Sequence, residues 1–126
     1  MRKINTKGAP AAIGPYSQAI VTNGLLFTSG QIPLDPVTNE IVGSTIEEQA
    51  EQVLKNLGEV LKEAGTSYEN VVKTTCFLAD MNDFAAFNGV YSKYFKTEPL
   101  PARSCVAVKT LPRNVLVEIE AIAEVD

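Results

Sequence analysis

The segment Pro101-Ala102-Arg103-Ser104-Cys105-Val106-Ala107-Val108 sets a guanidinium two residues from a thiol in a run otherwise apolar enough for a β-strand. Side chains alternate between the two faces of a strand. Ala102, Ser104, Val106 and Val108 therefore share one face, expected in the core, while Arg103, Cys105 and Ala107 share the other. An unpaired cation buried there costs on the order of several kcal/mol, so Arg103 needs an anion. Glu118 and Glu120, two apart in "VLVEIEAIAEV", supply two carboxylates at strand spacing. If the two final strands pair, a shared face sets Cys105 opposite Glu118 and Arg103 opposite Glu120. An Arg103–Glu120 ion pair would then be purely structural. A guanidinium left free would instead bind a small carboxylate ligand bidentately, with Glu118 as the acid/base group, its pKa open to tuning by burial and by Arg103. Cys105 has no histidine neighbour, so as a nucleophile it would depend on Arg103 alone, and a packed thiol is the other reading.

"AIGPYSQAI" and "FTSGQIP" raise a similar pair of readings. Gly14-Pro15 and Ser29-Gly30 are turn punctuation. The same stretches could line a pocket, with hydroxyls from Tyr16 and Ser29 and a backbone N–H at Gly30 that a ligand can approach closely.

Composition narrows the chemistry. The chain has 126 residues and no histidine, which removes Ser-His-Asp and Cys-His catalysis and most zinc sites. The net charge of -4 argues against a nucleic-acid surface. Cys76 and Cys105 form no CxxC motif and fit two free thiols in a reducing compartment. "MRKINTKGAP" lacks the apolar stretch of an export signal, and no run is long enough to span a bilayer. The expectation is one cytoplasmic domain over residues 1–126, without a cofactor motif and without nucleic-acid or membrane partners.

The elements that must position these groups are legible in outline. Apolar runs flanking Asn23-Gly24 predict a type I′ hairpin with Thr22 opposite Leu25 and Gln18 opposite Ser29. "QIPLDPVTNEIVG" reads as a loop with a turn at Thr38-Asn39. "STIEEQAEQVLKNLGEVLKEAG" predicts a helix with Ser44 and Glu47 as capping box and Gly65 just past its end. Its apolar stripe runs from Ile46 through Leu57 to Ala64, with Glu, Gln and Lys toward water. Gly58 interrupts it as a site of close packing. "ENVVKTTCFLAD" predicts a strand. "DMNDFAAFNGVYSKYF" predicts a second helix capped near Asp80 or Asn82, with Phe84, Phe87, Val90, Tyr91, Tyr94 and Phe95 as core. The order hairpin, helix, strand, helix, strand, strand implies an α+β fold with two helices on one face of a mixed sheet. In the last strand Val115, Val117, Ile119, Ala121 and Ala123 suit the helix side. Leu116, Glu118, Glu120 and Ile122 then lie on an uncovered face, together with Ala107. Such a face is too apolar to be left wet and predicts a homo-oligomer.

"AIGPYSQA", "TSGQIP", "NVVKTTCFLADMNDFAAFN", "PARSCVAV" and "LPRNVLVEIEAIA" resemble, in order, the signature segments of the RidA/YjgF family of reactive-intermediate (enamine/imine) deaminases. The resemblance covers nearly the whole chain. It implies a chorismate-mutase-like fold and a homotrimer with a central sheet barrel and clefts between subunits. It further implies hydrolysis of 2-iminopropanoate, 2-iminobutanoate and related enamines to 2-oxo acids and ammonia, without a cofactor. Those substrates arise from pyridoxal-phosphate dehydratases and damage other enzymes if they persist. By matching segments, Arg103 would be the carboxylate clamp. Tyr16, Ser29, Gly30, Asn88 and Cys105 would line the cleft, and Glu118 would orient or activate water. A non-catalytic 2-oxo-acid-binding regulator would use the same cleft. The ribonuclease activity ascribed to some relatives sits poorly with the acidity and the missing histidines.

Overall fold

Asn23 and Gly24 turn the chain with φ of 51° and 76°, the left-handed pair that a two-residue hairpin requires. They join β2 (Ala19–Thr22) to β3 (Leu25–Thr28) in the expected register, Thr22 opposite Leu25 and Ala19 opposite Thr28. One step further along, the Ser29 N–H donates to the Gln18 carbonyl at 2.8 Å. The computed structural model describes residues 1–126 and adds an edge strand not foreseen from sequence, β1 (Arg2–Ile4), antiparallel to β2. Three residues are too few to carry a pattern.

Helix α1 (Ile46–Glu63) lays down the predicted stripe, with Ile46, Ala50, Val53, Leu54, Leu57, Val60 and Leu61 all buried. Each full burial of such a side chain is worth about 1.5–3 kcal/mol. The cap lies one residue later than expected. Thr45 is the N-cap: its Oγ1 accepts from the Glu48 N–H at 3.2 Å, and Glu48 Oε1 accepts from the N–H groups of Thr45 and Ser44. Ser44/Glu47 and Thr45/Glu48 obey the same spacing. Gly43, left-handed at φ 85°, makes the turn that delivers both N–H groups to the second carboxylate. At the other end Gly65 takes φ 82°, and the Thr66→Leu61 and Gly65→Lys62 backbone bonds complete a Schellman motif.

Not all of the polar face of α1 meets water. Asn56, 1 % exposed, donates to the carbonyls of Ile32 and Leu34. The buried Gln49 donates to the Gly43 carbonyl and accepts from the Leu116 N–H at 2.7 Å. These amides fasten the 31–43 loop and the entry to the last strand against the helix. Gly58 provides the close approach expected of it. A Cβ there would overlap the hydroxyl of Tyr68, which donates to the Leu54 carbonyl at 2.6 Å.

After α1 come β4 (Val71–Leu78), a 3₁₀ turn at Met81–Asp83, α2 (Phe84–Tyr94), β5 (Ala102–Ala107), a 3₁₀ turn at Pro112–Asn114, and β6 (Val117–Glu124). Asp80 caps the 3₁₀ turn through the Asn82 N–H rather than α2 itself. The six strands form one mixed sheet in the order β1-β2-β3-β6-β4-β5, with both helices on one face. The expected pairing of the two final strands does not occur. β5 lies parallel to β4, and β6 takes the other edge of β4 and runs antiparallel to it. A strand–helix–strand segment favours parallel pairing through its crossover, and β4–α2–β5 is such a unit. Closeness of β5 and β6 along the chain is the weaker guide, and the crossover through α2 decides the pairing.

This topology reverses the predicted faces of β5. Cys105 stands beside Cys76, which stands beside Ile119; Arg103 stands beside Thr74, which stands beside Ala121. Cys76, Thr74, Ile119 and Ala121 are all buried. Arg103 and Cys105 therefore face the helices. Ala102, Ser104 and Val106, expected in the core, are exposed on the open face, Val106 at 47 %. In β6 the predicted sides hold: Val117, Ile119, Ala121 and Ala123 are buried, while Glu118, Glu120 and Ile122 line the open face with Phe77 and the 40 % exposed Phe27. Ala107 pairs with buried Leu78 and so belongs to the helix side.

Thr45→Ala should destabilise the fold by about 1 kcal/mol in urea unfolding at fixed chain concentration, with Ser44→Ala near neutral. Equal losses in the two variants would mean that the cap is shared.

Candidate active site

Arg103 sits half-buried on the edge strand β5, beneath one face of α2. Its Nη1 donates to Asn88 Oδ1 at 2.8 Å. Its guanidinium carbon lies 4.8 Å from the ring centre of Tyr91 and 5.4 Å from that of Phe84, within the range of cation–π attraction. Phe84, Asn88 and Tyr91 fall at four- and three-residue steps, so one stripe of α2 forms the whole cradle. Tyr91 is itself fixed by a 2.7 Å hydrogen bond with Thr74 in the core. The guanidinium is held by a neutral amide and two rings, and Arg103 borders a cavity of about 320 Å³ together with Asn88, Tyr91, Leu100 and Pro101. An Arg103–Glu120 bridge within the chain is ruled out by topology, because Glu120 pairs with Thr75 on the opposite face.

The other candidates gather elsewhere. Gly30 lies directly over Glu118, so that a Cβ at position 30 would overlap the Glu118 carboxylate. The paired bonds between Gln31 and Ile119 (2.8 and 3.1 Å) set that approach by tying the end of the hairpin to β6. Tyr16 and Gly30 border a second cavity of about 250 Å³, whose lining also includes Asn39, Pro112 and Arg113. The Tyr16 ring is half-exposed, and its oxygen accepts from the Ile13 N–H at 3.3 Å, which leaves the phenolic hydrogen free to donate. Ser29 is less available. Its Oγ donates to the Ser17 carbonyl at 2.6 Å, so only oxygen lone pairs remain for a ligand.

Two groups result: Arg103, Cys105 and Asn88 on the helix side of β5, and Tyr16, Ser29, Gly30 and Glu118 around the hairpin end and the open face. The predicted single cluster of Arg103, Cys105, Glu118 and Glu120 does not form within one chain.

The ionisable members behave differently. Burial raises the Glu118 carboxyl above its usual range, and the neighbouring Glu120 charge raises it further. Burial also raises the Cys105 thiol, with the Arg103 cation pulling the other way. Its strand neighbour Cys76, deeper still, is pushed up to about 12 by burial and by Cys105. Both thiols thus stay protonated at neutral pH, which favours the packed-thiol reading of Cys105. No group of three or more His, Cys, Asp or Glu side chains is placed to hold a metal ion.

Tyr91 is buried in the core and Phe84 packs against it, as expected, and both rings also face the Arg103 guanidinium, a second contact that the sequence pattern did not reveal. The clue was the polar Asn88 set into an aromatic stripe, since an amide on a buried helix face must serve a partner.

The sequence pattern of the family described as Endoribonuclease L-PSP matches residues 6–125. The chain belongs to this family, the RidA/YjgF family. It is 58 % identical over 125 residues, 99 % of its own length and 98 % of the relative's, to a Lactococcus lactis protein bearing a regulator's name, AldR. It is 54 % identical over 120 residues (95 % and 88 %) to a Mus musculus protein named 2-iminobutanoate/2-iminopropanoate deaminase. Among solved structures it matches E. coli TdcF with bound serine at a TM-score of 0.93, with 43 % identity and full coverage of both chains. The α+β arrangement of two helices on a mixed six-strand sheet is thus a RidA/YjgF fold.

Cys105 of this RidA/YjgF chain should alkylate with iodoacetamide at a half-maximal pH above the ordinary 9.0. Arg103→Ala should move that midpoint higher still, because the cation that favours the thiolate is gone. A midpoint below 9.0 in the wild type would restore Cys105 as a candidate nucleophile.

Proposed function

We propose that this protein hydrolyses 2-iminobutanoate, 2-iminopropanoate and related enamine or imine acids to 2-oxo acids and ammonia, in clefts formed between subunits of a homotrimer. The observation that carries the reading is Arg103: a half-buried guanidinium oriented by an amide and two rings, in a residue that borders a cavity. A cation so held suits an anion that arrives from outside. Relatives named as deaminases support the reaction class, and the serine bound to TdcF supports a small amino-acid-like ligand.

A second chain would answer two needs at once. The open face carries Phe27 and Val106 at 40 % and 47 % exposure, together with Ile122, and covering it removes apolar surface from water. Packing of neighbours against that face and the β5 edge would bring the Arg103 group of one chain to the Tyr16–Gly30–Glu118 group of the next.

In such a cleft the substrate carboxylate pairs with Arg103, which fixes the electrophilic C2 and lowers the entropic part of the barrier. Water held by Glu118 adds to C2 as its proton passes to the carboxylate, giving a carbinolamine. Glu118 passes that proton on to the nitrogen, and as the C–N bond breaks and ammonia leaves, the carbinolamine hydroxyl gives up its proton to form the carbonyl of the 2-oxo acid. Burial and Glu120 raise the Glu118 pKa, which favours uptake of the proton from water, while an approaching Arg103 lowers it, which favours the proton's release. The Tyr16 hydroxyl and the Gly30 N–H are donors for the developing oxyanion. Cys105 lines the wall.

The similarity to AldR favours a second reading, a regulator that binds 2-oxo acids without turning over imines. A coupled assay separates them. With a pyridoxal-phosphate threonine dehydratase generating the imine, this protein should speed the appearance of 2-oxobutanoate, and Arg103→Ala should lower kcat/KM by about a hundredfold, the worth of a charge-assisted carboxylate pair. Binding of 2-oxobutanoate with no acceleration would favour the regulator. Equal rates for wild type and Arg103→Ala would remove the clamp.

A further inference from the structure

Gln18 follows Tyr16 by two residues and is 3 % exposed. Its side chain spends every hydrogen-bonding group on one stretch of backbone. Oε1 accepts from the Thr6 N–H at 2.7 Å, while Nε2 donates to the carbonyls of Thr6 at 3.1 Å, Ala9 at 3.4 Å and Pro10 at 2.8 Å. Its main-chain carbonyl meanwhile accepts from the Ser29 N–H. One residue thus fastens the segment at 6–10 to the hairpin end that carries Ser29 and Gly30. Ala9, 1 % exposed, locks the same segment into the core.

Tyr16 sits between these fixed points. The chain from Pro10 to Tyr16 contains no helix or strand. Within it, the Tyr16 N–H donates to the Gly14 carbonyl at 2.9 Å, and the Ile13 N–H donates to the Tyr16 hydroxyl. The hydrogen bonds of residues 11–16 stay within the loop, and those that tie it to the rest of the protein lie at its two ends. Gln18 holds both: the outgoing end by position and the incoming end by its amide. Pro10, Tyr16, Gln18 and Gly30 all border the 250 Å³ cavity.

We infer that Gln18 is a positioning residue that acts through Tyr16, setting where the phenolic hydroxyl stands relative to the Gly30 N–H. The inference concerns the same site as the proposed deaminase and rests on that reading for its kinetic arm. Its structural arm stands alone. Methionine matches glutamine in length but offers neither donor nor strong acceptor. In Gln18→Met the Thr6, Ala9 and Pro10 groups turn to water, the incoming end loosens, and the hydroxyl loses its fixed place.

The test uses full-length protein labelled with 3-fluorotyrosine, which reports on Tyr16, Tyr68, Tyr91 and Tyr94 by fluorine NMR, with Tyr16 assigned by its loss in Tyr16→Phe. Gln18→Met should shift or broaden the Tyr16 resonance and leave the other three in place. In the coupled assay Gln18→Met and Tyr16→Phe should each lower kcat/KM by about tenfold, the worth of one donor. The double variant should fall no lower than either single, because both remove the same contact. An unmoved Tyr16 resonance, or losses that multiply, would overturn the inference. If the wild type does not accelerate imine decay, the deaminase reading falls, and the NMR result still decides the positioning role. Gln18→Glu keeps the shape and the Thr6 acceptor while removing the donors, and should act alike. Loss of all four native resonances in both variants would overturn the inference by making Gln18 a residue of the whole fold.

Discussion

The parallel pairing of β5 with β4 is the constraint on which the site depends. It turns Arg103 toward the helices, where Asn88, Phe84 and Tyr91 can hold a guanidinium. It also interposes β4 between Arg103 and the carboxylates of β6. Had the last two strands paired directly on a shared face, Arg103 and Glu120 would neutralise each other and no cation would remain for a ligand. Separating them costs an edge strand and an open apolar face, which a neighbouring chain can cover.

The two groups are built by different means. The Arg103 cradle rests on a helix packed into the core, with Tyr91 bonded to Thr74 at the centre of the sheet. Rigid elements of this kind hold an ion in one orientation without a counter-charge. The Tyr16–Gly30 group stands on loops, yet both are tied down: the Tyr16 loop at its start by the Gln18 amide, and the Gly30 end by the paired bonds of Gln31 to Ile119, with the 31–43 loop beyond it held by buried amides of α1. The polar side chains buried in α1 serve that loop. No buried side-chain nitrogen or oxygen lacks a partner.

Local structure was largely legible in the sequence. Asn23-Gly24 specified its turn and register because few residues accept two left-handed conformations in succession. The stripe of α1 and the alternation of β6 followed from periodicity. What could not be read was which strand lies beside which, and the sidedness of β5 failed with it. A strand with apolar residues on both faces gives no sign of its buried side, and only the βαβ crossover held the answer. The cap of α1 slipped by one residue because two overlapping pairs satisfied one rule, with Gly43 as the arbiter. At the site, residue types were sound guides to chemistry, but Phe84 and Tyr91 were hidden by the double use of aromatic rings as core and as cation platform.

If the proposed cleft joins Arg103 of one chain to Glu118 of the next, two singly disabled chains should complement each other. Arg103→Ala and Glu118→Gln each disable a different half, so either homo-oligomer should be inactive in imine hydrolysis. Unfolded together in equal amounts and refolded, random mixing should leave about one quarter of the clefts with both halves intact, and about one quarter of wild-type activity should return. If the mixture stays as inactive as its components, while wild type carried through the same refolding recovers, Arg103 and Glu118 do not meet across a subunit boundary.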